Sequence, residues 1–116
     1  MFRKIIKKVQ ELTIKPLVTW YLKKERRFTH EGLKMTVFSG VFHPLLFHST
    51  LLLAKHLKKL PLTGKNFLEL GSGSGLISVL AARAGAHVTA LDLNPLAVKN
   101  TLLNAENNGL TIQAMQ

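Results

Sequence analysis

The stretch FLELGSGSGLISVLAARAGAHVTALD, residues 67–92, decides how the rest of the chain is read. A short apolar run, Phe67 to Leu70, leads into three glycines that alternate with serines, ending at Gly75. Apolar spacing then becomes helical from Leu76, and Gly85 is a residue suited to a helix C-terminus. His87 to Asp92 return to alternation, with small and branched side chains that predict a strand. Strand, glycine turn, helix and strand in that order predict a cradle for a small ligand. Glycine lets backbone approach a ligand with no Cβ in the way. The helix N-terminus that follows offers unpaired N–H groups.

Working outward, Asn94 is a good helix N-cap and Pro95 suits the first helical position. That helix is expected to stop at Asn107-Asn108-Gly109, and residues 110–116 read as a third strand. The order β–α–β–α–β predicts a parallel sheet with strands in the spatial order 3-2-1. Upstream, residues 45–60 have helical spacing and are closed by Pro61 and Gly64. Residues 27–44, rich in Thr, Val and Phe and punctuated by Gly32 and Gly40, predict a β-hairpin or two short strands. The first residues place Phe2, Ile5, Ile6, Val9 and Leu12 on one helical face and Arg3, Lys4, Lys7 and Lys8 mainly on the other. Pro16 is expected to end or bend that helix. The fold class is therefore α/β: a partial Rossmann-like parallel sheet of three strands behind a basic helical and hairpin leader. The expected division is a leader over 1–65 and a ligand-binding half over 66–116.

Charge follows the same division. The chain of 116 residues carries a formal net charge of +10, and residues 1–34 alone hold ten Lys/Arg against three Glu. Residues 66–116 are nearly neutral. There are no cysteines, which excludes disulfides and thiolate metal sites and fits a cytoplasmic location. No apolar run reaches the roughly 20 residues of a membrane span. The five histidines, at 30, 43, 48, 56 and 87, lack metal-binding spacing with carboxylates, and no metal site is expected.

Asp92 lies 21 residues after Gly71, close to the ~20-residue spacing at which a strand-end acid can accept ribose hydroxyls. A ribose-containing ligand is implied. The dinucleotide pattern G-x-G-x-x-G fails, since its last position is Leu76 counted from Gly71 and Ser78 counted from Gly73. The Gly-Lys-Ser/Thr triplet of the Walker phosphate loop is absent. Glu69-x-Gly71-x-Gly73-x-Gly75 does fit another pattern. It resembles motif I of the class I S-adenosylmethionine-dependent methyltransferases, and ALDLNPLAV, from Ala90, resembles the acidic motif that follows it. A strand-end acid is tolerable beside a cationic sulfonium and ammonium, and awkward beside a pyrophosphate.

The resemblance implies S-adenosyl-L-methionine as cofactor. Glu69 would face its methionine end, Gly71, Ser72, Gly73 and Gly75 would wrap it, Asp92 would bind the ribose, and Leu93 would lie against the adenine. Upstream, Val41, Phe42 and Pro44 followed by Thr50 and Leu51 to Leu53 resemble the segment before motif I in the release-factor glutamine and adenine amino-methyltransferase group. An N-methyltransferase acting on an amino or amide nitrogen of protein, nucleic acid or small molecule is implied. That group's catalytic Asn-Pro-Pro-Tyr motif has no counterpart; Asn94-Pro95 is followed by Leu96 and Ala97. No catalytic residue is assigned, and the expectation is a cofactor-binding portion truncated before the catalytic strand. The alternative is a non-catalytic nucleotide- or RNA-binding module that associates with a partner chain. The basic leader, with Trp20, Tyr21 and Phe28 among Lys23, Lys24, Arg26 and Arg27, fits nucleic acid. An anionic membrane surface and a simple solvated face are the other readings. Self-association through an open sheet edge is also expected.

Overall fold

The computed structural model describes residues 1–116, apart from the side chain of Leu22. Its centre is a parallel sheet of β3 (Asn66–Leu70), β4 (His87–Leu91) and β5 (Gln113–Met115), in that spatial order. The register pairs Leu70 with Leu91 and Leu91 with Met115, so the three strands end level with one another. Residues that follow the strands, Gly71, Asp92 and Gln116, therefore emerge at one border. In open α/β sheets that carboxyl border is where ligands bind.

The connections are α4 (Leu76–Arg83) and α5 (Pro95–Asn107). Asn94 caps α5 by accepting a hydrogen bond from the Leu96 N–H at 3.0 Å, and Pro95 takes the first helical position. Val88 and Ala90 of β4 turn inward against Leu76, Val79 and Leu80 of α4 and Ala105 of α5, all buried.

Before the sheet come β1 (Arg26–His30) and β2 (Leu33–Val37), an antiparallel hairpin, and α3 (His48–Leu57). The hairpin turns on Glu31 and Gly32, at φ 49° and 81°, the two positive angles that a tight hairpin turn matching strand twist requires. Leu33 and Met35 of β2 and Ala54 and Leu57 of α3 belong to the same buried cluster as α4 and β4. The expected division at residue 65 is thus not a gap in packing: Leu33, Met35, Ala54 and Leu57 before it share a core with residues after it.

The hairpin is also tied on polar terms. Asn100, Asn104 and Asn108 project from one side of α5 toward β2. Their Oδ1 atoms accept from the N–H groups of Phe38, Thr36 and Lys34 at 2.8, 2.8 and 2.9 Å. Their Nδ2 groups donate to Thr36 O (from both Asn100 and Asn104) and to Lys34 O. The match is geometric. Four helical residues rise ~6 Å, close to the roughly 6.6 Å of two strand residues. Side chains at i, i+4 and i+8 therefore keep step with every second residue of a strand edge.

The N-terminus forms α1 (Phe2–Val9), a π-helical segment (Gln10–Ile14) and α2 (Lys15–Leu22). Of the two expected outcomes, an end or a bend, Pro16 does not produce an end. It lies in the first turn of α2, directly after the wider turn, where the amide that proline lacks is not needed for an ordinary i to i−4 bond. This helix projects from the body, and the molecule measures 53 × 27 × 26 Å.

Candidate functional site

Two adjoining clefts open at the carboxyl border of the sheet, sharing Leu70 and Gly71. The first, of about 320 Å³, is floored by Glu69 and the loop from Gly71 to Ser74 and roofed by Phe42, Pro44, Phe47, Thr50 and Leu53. The second, of about 530 Å³, is bounded by Leu91, Asp92, Leu93 and Gln116 and is mostly apolar. Both volumes are within the ordinary range for small-molecule sites.

The Gly-Ser alternation has a physical basis. Ser72 and Ser74 are buried and turn toward α5. There Thr101 Oγ1 donates to Ser72 Oγ at 3.0 Å, and Asn104 Nδ2 donates to Ser74 O at 2.7 Å. Gly71 and Gly73 face open space where a Cβ would stand and line the first cleft. Gly75 is different. A Cβ there would lie 2.8 Å from both Thr101 Cγ2 and Thr101 Oγ1 and 2.9 Å from its Cα, at φ +89°. Glycine at 75 is needed for the close approach of α4 to α5, a reason independent of any ligand.

The loop amides are largely used within the protein. Gly71 and Ser72 both donate to Leu91 O, at 2.7 and 3.1 Å, and Gly75 donates to Ser72 O at 2.9 Å. Gly73 N–H donates to Asp92 Oδ2 at 2.9 Å. A loop that anchors these four amides internally does not offer the ring of donors that a phosphate needs. The charged group in the first cleft is instead an acid. Glu69 Oε1 accepts from the hydroxyl of Ser78, fully buried in the first turns of α4, at 2.7 Å. Burial pushes the Glu69 carboxyl up to about 7; the Ser78 hydrogen bond opposes that shift and the neighbouring Asp92 charge adds to it. Such a group gains from a cation placed beside it.

Asp92 serves the loop first. Besides Gly73, it accepts from the Asn94 N–H through Oδ1 at 2.9 Å. Each carboxylate oxygen keeps a further lone pair for hydroxyl donors. Leu93 stands on the rim, 90% exposed. Glu69, Gly71, Gly73, Asp92 and Leu93 thus gather at one border, with Gly75 and the Ser72 side chain set back into the packing against α5. Sequence reasoning missed Ser78, Thr101 and Phe47. Ser78 occupies the position where the dinucleotide pattern failed, nine residues after Glu69, and nothing in the spacing pairs the two. Among the histidines, His43 is buried between Phe28 and Tyr21 rings, and its Nδ1 accepts from the Leu45 N–H.

Comparison with known proteins shows the family and the fold. The family model described as ribosomal protein L11 methyltransferase (PrmA) matches residues 46–116, more than half of the chain. A protein described as a candidate N5-glutamine methyltransferase from Methanocaldococcus jannaschii is 37% identical over 83 residues, covering 71% of this chain and 40% of that protein. A ubiquinone biosynthesis O-methyltransferase from Xylella fastidiosa is 44% identical over 55 residues, covering 47% and 22%. Among solved structures, a 16S rRNA N2 methyltransferase from T. thermophilus, in complex with AdoMet and guanosine, superposes with a TM-score of 0.63 at 27% identity. It covers 79% of this chain and 27% of that one. The chain spans less than half the length of these relatives.

Proposed function

The chain belongs to the ribosomal protein L11 methyltransferase (PrmA) family, and from that membership we propose that its two clefts form the S-adenosylmethionine site of a methyltransferase acting on an amino or amide nitrogen. The carrying observation is the division of the site. A largely buried acid, whose ionised form a cation beside it would favour, lies at one end, bare glycine backbone in the middle, and an apolar rim at the other end. A ligand with a cationic amino acid portion and a nucleoside fits that order; a pyrophosphate does not, because the loop amides are engaged within the protein.

S-adenosylmethionine supplies a methyl group on a cationic sulfur. Glu69, oriented by Ser78, neutralises positive charge in the first cleft. Phe42, Pro44 and Phe47 cover that cleft and restrict water. Asp92 accepts ribose hydroxyls while holding Gly73 and Asn94 in place, and Leu93 with Leu91 offers an apolar wall to the base. Positioning of this kind is how a bimolecular transfer gains most of its rate. The nitrogen acceptor is supported by the relative with the broader coverage of the chain, which extends beyond the glycine loop and is described for glutamine N5.

Titration calorimetry with S-adenosylhomocysteine tests the site. We expect binding by the folded chain, and a loss of at least tenfold in Leu93→Asp, with melting temperature unchanged because Leu93 is exposed. A folded chain that fails to bind would sink the proposal. A methyl product on an acceptor oxygen, formed by a longer protein that carries this site together with a catalytic strand, would overturn the nitrogen assignment alone.

A further inference from the structure

Residues 2–20 lie in a helical segment that the rest of the described residues leave almost uncovered. Every side chain from Phe2 to Val9 is exposed, and among residues 1–20 only Val18 is partly covered. The helix is held at its far end. There the Arg26 guanidinium stacks 4.0 Å from the centre of the Tyr21 ring, and Ser39 Oγ donates to Lys23 O at 2.9 Å.

Exposure alone would be unremarked, but the exposed residues are sorted. Phe2, Ile5, Ile6, Val9 and Leu12 stand at i, i+3, i+4, i+7 and i+10, which at about 100° per residue gathers them within about 120° of arc. They are between 44% and 78% exposed. Leu17 rejoins this face two turns beyond Val9 once the extra residue of the π-helical segment is discounted. Arg3, Lys4, Lys7 and Lys8 occupy the opposite arc. Trp20, the chain's single tryptophan, is also exposed, at 58%.

The partner must therefore present an apolar phase and negative charge side by side. RNA would neutralise the basic arc and leave the six large apolar side chains of the other face in water. A hydrophobic groove on a protein would cover those side chains but gives the opposite row of cations no role. A lipid headgroup region satisfies both arcs at once, with the apolar face sunk among acyl chains and the lysines among phosphates. No helix among the described residues is long and apolar enough to cross a membrane. We infer that residues 2–20 form an interfacial amphipathic helix that docks this protein on anionic lipid bilayers. The methyltransferase site would then work close to a membrane surface, with its clefts in the body beyond the Tyr21 anchor.

The test is co-sedimentation of the full chain with vesicles of phosphatidylcholine alone and of equimolar phosphatidylcholine and phosphatidylglycerol, with Trp20 emission followed in parallel. We expect binding to the anionic vesicles with a blue shift, and at least about tenfold weaker binding to the neutral ones. The double variant Ile5→Asp/Ile6→Asp should lose at least about tenfold by removing apolar insertion. Lys7→Glu/Lys8→Glu should lose a similar factor by removing attraction to the headgroups. Since none of these four side chains is buried, the melting temperature of the body should not move. No binding to anionic vesicles overturns the inference, as does equal binding by Ile5→Asp/Ile6→Asp. So would salt-sensitive binding to a single-stranded RNA without vesicle binding. Lipid-free self-association abolished by the isoleucine variants, without vesicle binding, would instead identify a second copy as the partner and overturn it too.

Discussion

Glu69 links the proposed site to the stability of the fold through one side chain. Burial pushes its carboxyl up to about 7, above the usual 4.5, so the neutral form is favoured by folding. The stability this group provides is fully present below about pH 4.5 and is lost as pH rises through about 7. Between those limits the loss is roughly 3 kcal/mol. Glu69→Gln keeps an acceptor for Ser78 and cannot ionise. Denaturant unfolding should therefore find it more stable than the parent at pH 8, by roughly 2–3 kcal/mol, with the difference closing at pH 4.5. Cofactor affinity should move the other way. A cationic ligand binds the ionised acid better, so affinity in the parent should rise from pH 6 to 7.5, and calorimetry should find that rise absent in Glu69→Gln. A parallel rise in both proteins would show that Glu69 does not face the cation.

The element scale is governed by the asparagine row of α5. An exposed strand edge is a hazard, because its unpaired N–H and C=O groups can recruit another strand. Here residues 34, 36 and 38 of the hairpin's outer edge are matched by amides instead. Asn100 and Asn104 are fully buried, so their hydrogen bonds form away from water and removing one partner strands the others. Asn104→Ala would leave Thr36 N–H without its acceptor and Ser74 O without its donor. We expect a destabilisation of roughly 3 kcal/mol, read from chemical denaturation. Because Ser74 belongs to the glycine loop, cofactor affinity should fall with it. A surface asparagine would cost a few tenths. The row was present in the sequence as NTLLNAENN, from Asn100. Read by apolar periodicity, its asparagines mark a solvent face or a helix stop. Only the strand lying against them reveals what they bond.

At the scale of the whole molecule, the sheet is covered on one face only. Parallel strands are normally buried on both faces. Leu68 and Leu70 of β3 and Met115 of β5 are nevertheless 59%, 73% and 48% exposed, and β3 pairs on one side only among the described residues. We expect this surface to drive association as concentration rises. Leu68→Lys should shift the sedimentation profile toward monomer, since it places a charge on that face without touching the core. An unchanged profile would assign any association to another surface, the N-terminal helix included.

The sequence by itself determined the sheet and helices of residues 66–116, the hairpin before them, and the gathering of Glu69, the glycine loop, Asp92 and Leu93 at one border. Those features follow from periodicity, turn chemistry and the level ends of parallel strands, all local or set by spacing. Tertiary structure decided the rest. The spacing could not assign Gly75 to helix packing, because that depends on how near Thr101 comes. It could not pair Ser78 with Glu69, nor Asn104 with Thr36 across 68 positions. Nor could it tell whether the N-terminal apolar face is covered. An amphipathic pattern states that a face needs a partner, and only the packed structure shows that the described residues do not cover it.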